Sequence, residues 1–150
     1  MTEPYRTSPT NPAIGEIQTE PDRISDMPYA PAMRVTAGSD MLFISGATPA
    51  KLYHKHPHDF SEHDHPTDIR KQVHLAMKNI KDILDHEGLT WTDIIKVNKY
   101  LTDMRDLEEM TFALKEYFGD WTPASTALCI NQLSTPGARI ELEMIAVYPK

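Results

Sequence analysis

The sequence predicts an α+β domain in the order β-β-α-β-α-β-β, one sheet with two helices on one face. Three observations lead to this. Residues 68–87 and 106–118 space their apolar side chains three and four apart, and each stretch stops at a glycine. Short apolar or alternating runs precede, separate and follow these two stretches. No apolar run reaches the roughly 20 residues needed to span a bilayer, so no membrane partner is expected.

Residues 1–26 are rich in Pro, Thr, Glu and Ser and have no sustained period. Pro4, Pro9, Pro12 and Pro21 exclude a regular element over most of that length, which predicts an extended arm, ordered only where it lies on the body or on a neighbour. Residues 27–150 make up the domain itself. Ala32–Val35 and Met41–Ala47 are short apolar runs around Ala37-Gly38-Ser39-Asp40, which has hairpin-turn chemistry. Gly46 ends the second run, and its missing side chain lets a ligand or another backbone come close.

Thr67 is the expected N-cap of a helix over Asp68–Glu87. Ile69, Val73, Ala76, Ile80 and Ile83 form its apolar stripe, Gly88 is its stop, and His74 and His86 fall on its surface. Asp93–Thr102 alternates, with Ile95, Val97 and Leu101 on one side and Lys96, Asn98 and Tyr100 on the other, as a third strand does. The second helix, Asp106–Phe118, has Leu107, Met110, Leu114 and Tyr117 on its stripe and Gly119 as its stop. Ser125–Leu133 is the fourth strand, and Pro136-Gly137 turns into the fifth, Arg139–Val147. Two helices leave one face of such a sheet open, and an apolar open face is normally buried by another subunit.

A length of 150 residues suits one core. The formal charge of −7, with no basic block, argues against nucleic acid as a partner. The lone cysteine, Cys129, cannot form an internal disulfide and is expected as a small buried hydrophobe. The N-terminus lacks the apolar segment of a secretory signal, so a cytoplasmic protein is expected. The segment 48–66 is rich in histidine: His54, His56, His58, His63 and His65 stand among Asp59, Glu62 and Asp64. Neutral imidazoles can hold zinc, nickel or copper, but the spacing matches no recognised closed site. It is read as a solvated loop, with a pocket wall or a metal site as alternatives, and no metal or cofactor is assigned.

The chemistry points to the last two strands. The period of two in Arg139–Val147 puts Ile140, Leu142, Met144 and Ala146 on one face, and Glu141 and Glu143 with Arg139, Ile145 and Val147 on the other. Two carboxylates among apolar neighbours are either on a solvated sheet surface or in a pocket that raises a pKa and suits it to proton transfer.

Several separated motifs, in order over about residues 27–148, resemble the reactive intermediate deaminase family, also called RidA or YjgF. Met27-Pro28-Tyr29 resembles its Gly-Pro-Tyr, and Leu42-Phe43-Ile44-Ser45-Gly46 its strand ending in Ser-Gly. Gln72 with Asn79-Ile80 matches its first helix, and Tyr100-Leu101-Thr102-Asp103-Met104 the strand end before its second. Pro123-Ala124-Ser125-Thr126 stands where the family has Pro-Ala-Arg-Ser/Thr, and Ile140-Glu141-Leu142-Glu143 where it has Val-Glu-Ile-Glu. The resemblance implies a chorismate-mutase-like fold, a homotrimer, and ligand sites in the clefts between subunits.

It also implies chemistry. The family arginine grips the carboxylate of an imino or enamino acid, and the strand glutamate positions water for hydrolysis to keto acid and ammonia. Carried over, Glu141 is the water-orienting acid/base, Tyr29 a pocket phenol and Gly46 the close-approach glycine, while Ser125 occupies the anchor position. A hydroxyl cannot replace a guanidinium, which leaves three alternatives. The small-molecule substrate is a different imine, enamine or related reactive compound, one without the carboxylate, bound by Glu141 and a pocket lined by the hydroxyls of Ser125 and Thr126; or the cation comes from Arg139 or Arg34; or the trimer is a non-catalytic, metabolite-binding or regulatory scaffold. A ribonuclease role finds little support in the acidic balance and the lack of a basic aromatic groove.

Overall fold

A computed structural model describes residues 3–150; the first two residues of the expected arm lie outside it. In chain order the strands and long helices are β1 (Arg6–Thr7), β2 (Ile14–Ile17), β3 (Ala32–Val35), β4 (Met41–Ala47), α1 (Ile69–Glu87), β5 (Ile94–Leu101), α2 (Leu107–Phe118), β6 (Ala124–Cys129) and β7 (Ile140–Val147). Four strands form the main sheet in the order β4-β7-β5-β6, antiparallel except for the parallel pair β5–β6. The expected mixed α+β class is what the chain adopts.

The main core is built by complementary periods. Ile140, Leu142, Met144 and Ala146 of β7 and Val97 and Leu101 of β5 form one face. Onto it pack Val73, Ala76, Met77, Ile80 and Leu84 of α1 and Met110, Ala113 and Leu114 of α2. Both helices stop as expected: Gly88 (φ 70°) and Gly119 (φ 58°) take positive φ that a side chain resists. The N-cap of α1 lies one residue beyond the expected Thr67: the Asp68 carboxylate accepts from the Lys71 N–H at 3.0 Å.

Two polar residues on the buried side of α1 fasten the surrounding loops. Gln72 donates to the carbonyls of Pro66 and Gly137 and accepts from the Arg139 N–H. Asn79 donates to the carbonyls of Thr48 and Ala50. Backbone groups that leave water without a strand partner are thereby satisfied.

Three details depart from the sequence-based expectation. First, β3 does not form a hairpin with β4; it pairs with β2, and β1-β2-β3 make a second, antiparallel sheet. The proline-rich arm, expected without strands, therefore supplies two. Between its prolines, residues 14–17 are Ile-Gly-Glu-Ile, just long enough to pair with β3. Second, Ile94 pairs with Ala146 and Lys96 with Ile145, so Ile95 is an extra residue in the ladder. The bulge turns Ile95 away from Val97 and Leu101 into a second cluster with Ala13, Ile14, Trp121 and Val147. Third, β6 ends at Cys129 and is not a neighbour of β7, because β5 lies between them.

The second cluster positions the arm. Ala13 and Ile14, with Met33 and Val35 of β3, pack on Ile95, Ile145 and Val147. The small sheet thus covers the Val147 end of the face opposite the helices. The Glu141 end lies beyond it.

Candidate functional site

The pairing of β7 with β5 sets Glu141 opposite Tyr100 and Glu143 opposite Asn98. Both carboxylates therefore share the face away from the helices with Asn98, Tyr100 and, across β5, Thr126. Asn98 Nδ2 donates to Glu143 Oε1 at 3.0 Å, and Lys96 Nζ donates to Thr126 Oγ1 at 2.9 Å. Glu141 leans over β4: a Cβ added to Gly46 would overlap its carboxyl group. The close approach expected at that glycine is thus made by a carboxylate of the same chain. Burial, and then the charge of Glu143, push the Glu141 pKa above the usual glutamate value. Glu141 is thus half-buried against Gly46, on the sheet face away from the helices.

Ser125 lies on the opposite side. It pairs with Val97, whose partner on β7 is the buried Met144, so its side chain points to the helix side of the sheet. There Lys99 Nζ donates to Ser125 Oγ at 3.2 Å. Lys99 is only 8% exposed, and burial, with a smaller contribution from Lys96, pushes its pKa down to about 8. Both residues line a cavity of about 610 Å³ between α2, the β5–β6 edge and residues 24–28, which also reaches Phe112 and Lys115. The cavity is open to solvent on one side, and its lining mixes apolar and charged side chains.

Lys99 was missed in the strand pattern. Its signal was there: it stands two residues from both Val97 and Leu101, at a core position of an alternating strand. Reading strand faces from apolar residues alone passes over a cation in such a place.

The other candidates are dispersed. Arg139 is already engaged, its Nε and Nη2 donating to Asp106 at 3.0 and 2.9 Å and its Nη1 to the Thr67 carbonyl. That fork ties the start of β7 to the start of α2, so it is not poised as a replacement anchor. Arg34 is on β3, in the small sheet rather than the main one. Tyr29 is exposed, one residue beyond Met27 and Pro28, which line the cavity. Cys129, expected as a buried hydrophobe, is exposed: it ends the edge strand β6, with β5 on one side only. His74, expected at the surface, is half-buried and hydrogen-bonds through Nδ1 with the Tyr117 hydroxyl, linking α1 to α2. No helix among the described residues is long and apolar enough to cross a membrane.

Comparison with known proteins adds a frame to this geometry. The model of the family described as endoribonuclease L-PSP matches residues 20–148. A RutC family protein of Pyrococcus horikoshii is 40% identical over 79 residues, 53% of this chain and 62% of its own length. TdcF of Escherichia coli, provisionally named a reactive intermediate deaminase, is 31% identical over 84 residues, 55% of this chain and 65% of its own. These matches span less than two thirds of the relatives' length. The crystal structure of Escherichia coli TdcF with bound serine superposes with a TM-score of 0.61 at 28% identity, covering 81% of this chain and 89% of that one. A Rid family protein of unknown function from Yersinia pestis, YyfA, gives 0.62 at 27%, covering 81% and 88%.

Proposed function

The chain belongs to the endoribonuclease L-PSP family, the RidA or YjgF family of the motifs above, and on that premise we propose that it hydrolyses a reactive imine or enamine of a small metabolite. Glu141 is the group that carries this reading: a strand carboxylate, half-buried against Gly46, with a pKa raised by burial. Such a group takes a proton from water as the oxygen adds to the imine carbon. It returns that proton to the nitrogen to give a carbinolamine, then moves the hydroxyl proton to the same nitrogen as the C–N bond breaks, so that a carbonyl compound and ammonia leave.

Lys99 is the cation in the place of the family arginine. Its ammonium sits on the Ser125 hydroxyl, at the anchor position, and a positive charge at the edge of a cavity attracts a substrate carboxylate. A single ammonium grips less directionally than a guanidinium, so the substrate acid is bound with less selectivity for geometry. The serine bound by TdcF supports an amino-acid-like ligand. Ser125 and Glu141 lie on opposite faces of one sheet, so the reading pairs the Lys99 side of one subunit with the Glu141 side of another, in a homotrimer.

The test is ammonia release from 2-imino acids generated in situ, followed with and without the protein. Acceleration over buffer that falls at least 100-fold in Glu141→Gln, with the fold unchanged by circular dichroism, is the expected result. The serine at the arginine position favours a second reading, a metabolite-binding or regulatory trimer without turnover. That reading predicts no acceleration, together with saturable binding of the same acids that Lys99→Met weakens.

A further inference from the structure

The histidine-rich segment is folded back on itself. Ring centroids are 4.6 Å apart for His54–His56, 4.6 Å for His56–His58, 4.8 Å for His58–His63 and 5.4 Å for His54–His63. Potential ligand atoms of His54, His56 and His58 all lie within 4.8 Å of one another. From this convergence we propose that residues 54–63 form a binding site for one divalent ion of the nickel, copper and zinc group, held by the imidazoles of His54, His56, His58 and His63.

His63 is the independent observation. It is 8% exposed, and neither ring nitrogen has a hydrogen-bond partner. Among the described residues, every buried side-chain nitrogen or oxygen atom without a partner belongs to His63 or to His65, which packs edge-on beside it. Buried polar groups are ordinarily hydrogen-bonded. Ligation of an ion through one ring nitrogen gives the buried His63 a partner.

One donor, His54, is already oriented. His54 Nδ1 lies 2.8 Å from the Lys51 carbonyl. A carbonyl only accepts, so Nδ1 carries the proton and Nε2 keeps the lone pair, the arrangement that fixes metal-ligating histidines. The loop is closed without the imidazoles: Lys55 N–H donates to Glu62 Oε2 at 2.9 Å, and Ser61 N–H to Asp59 Oδ1 at 3.0 Å. Asn79 and Gln72 hold its two ends.

This scaffold also selects the ion. The side chains that converge are imidazoles, while the nearby Asp59 and Glu62 each accept an N–H of the loop. Imidazoles suit nickel, copper and zinc, whereas calcium and magnesium take oxygen. Four nitrogens around a tetrahedral ion at 2.0–2.1 Å stand about 3.3 Å apart. The ligand atoms of His54, His56 and His58, within 4.8 Å of one another, lie about 1.5 Å from that separation, and His63 stands beside them with its ring 4.8 Å from that of His58.

The experiment uses the untagged full chain freed of metal, titrated with zinc against a chromogenic chelator and with cobalt as a spectroscopic probe. The expected result is one equivalent of zinc, not displaced by magnesium or calcium, and an intense visible cobalt spectrum of tetrahedral type. His56→Ala, His58→Ala and His63→Ala each weaken zinc binding at least 10-fold, while His74→Ala and His86→Ala, outside the loop, leave it unchanged. Binding that survives in a His54→Ala/His56→Ala/His58→Ala triple variant overturns the proposal. So do several weak equivalents, or a weak octahedral cobalt spectrum in the wild-type chain, which needs no variant to fold.

Discussion

Between Val97 and Leu101, on the side of β5 that faces the helices, the amine of Lys99 is held where water reaches it poorly. Its pKa falls from 10.5 to about 8, so the folded chain holds this proton less tightly than the unfolded chain does. The sign follows. Below about pH 8 both states are charged and folding bears the whole penalty of burying the ammonium; the penalty declines as pH rises and is gone above about 10.5. A difference of this size corresponds to about 3 kcal/mol, as an upper bound. Lys99→Met is therefore expected to raise the thermal midpoint at pH 7 by several degrees, with the gain vanishing towards pH 10.5 in a melting series. If Lys99 anchors a substrate carboxylate, the same variant raises KM, and KM of the wild-type chain rises above about pH 8, where the charge is lost.

Glu141 has the opposite sign. Its raised pKa delays ionisation, so turnover that needs the carboxylate is expected to rise with pH through a value above that of an ordinary glutamate, and a pH–rate profile for kcat/KM reads it directly. The patterns of β7 alone placed this residue and its neighbours on the correct faces. What the pattern did not contain is the reason for its environment, since Gly46 is about a hundred residues earlier in the chain.

At the scale of elements, the arm is the clearest case of structure decided by docking. Full burial of Ile14 is worth about 2 kcal/mol, while ordering each backbone residue costs about 1–2 kcal/mol, so one apolar contact does not hold the segment. Asn11 adds to it: fully buried, it donates to Asp93 Oδ1 at 2.9 Å and to the Val147 carbonyl at 2.8 Å, and accepts from the Ala13 N–H at 3.0 Å. Asn11→Ala strands these partners and is expected to lower stability by about 1–3 kcal/mol. Thermal unfolding is expected to show a drop of about 3–10 °C, with faster hydrogen exchange in β2. An unchanged midpoint would mean that the arm contributes nothing to the body. The helices were legible because caps and stripes are local; the bulge at Ile95 was not, because an extra residue shows only against its partner strand.

For the molecule as a whole, the two faces of the main sheet have different fates. One is covered by α1 and α2. The other carries Glu141 and, on the same face, Leu128, paired with Tyr100, and Phe43, paired with Ile145; these two apolar side chains are 50% and 71% exposed. These residues lie on the two edge strands, β4 and β6, on either side of the half-buried carboxylates, and on the proposed function a second copy packs there. On the proposed function, light scattering gives three times the 17.1 kDa chain mass, and Leu128→Asp yields single chains without turnover. A wild-type chain that is a stable monomer at micromolar concentration removes the shared site.

The sequence by itself determined the class of the fold, both helices with their glycine stops, the inward face of β7 and the motifs by which the family is recognised. These are written in local periods and caps, which need no partner to be read. Only the tertiary structure decided that β3 joins the arm, that Ile95 leaves its face, that Arg139 is engaged with Asp106, that Lys99 stands beside Ser125, and that His54, His56 and His58 converge. Each of these depends on which distant segment arrives next to which, and that is set by the packing of the whole core rather than by any stretch of the chain.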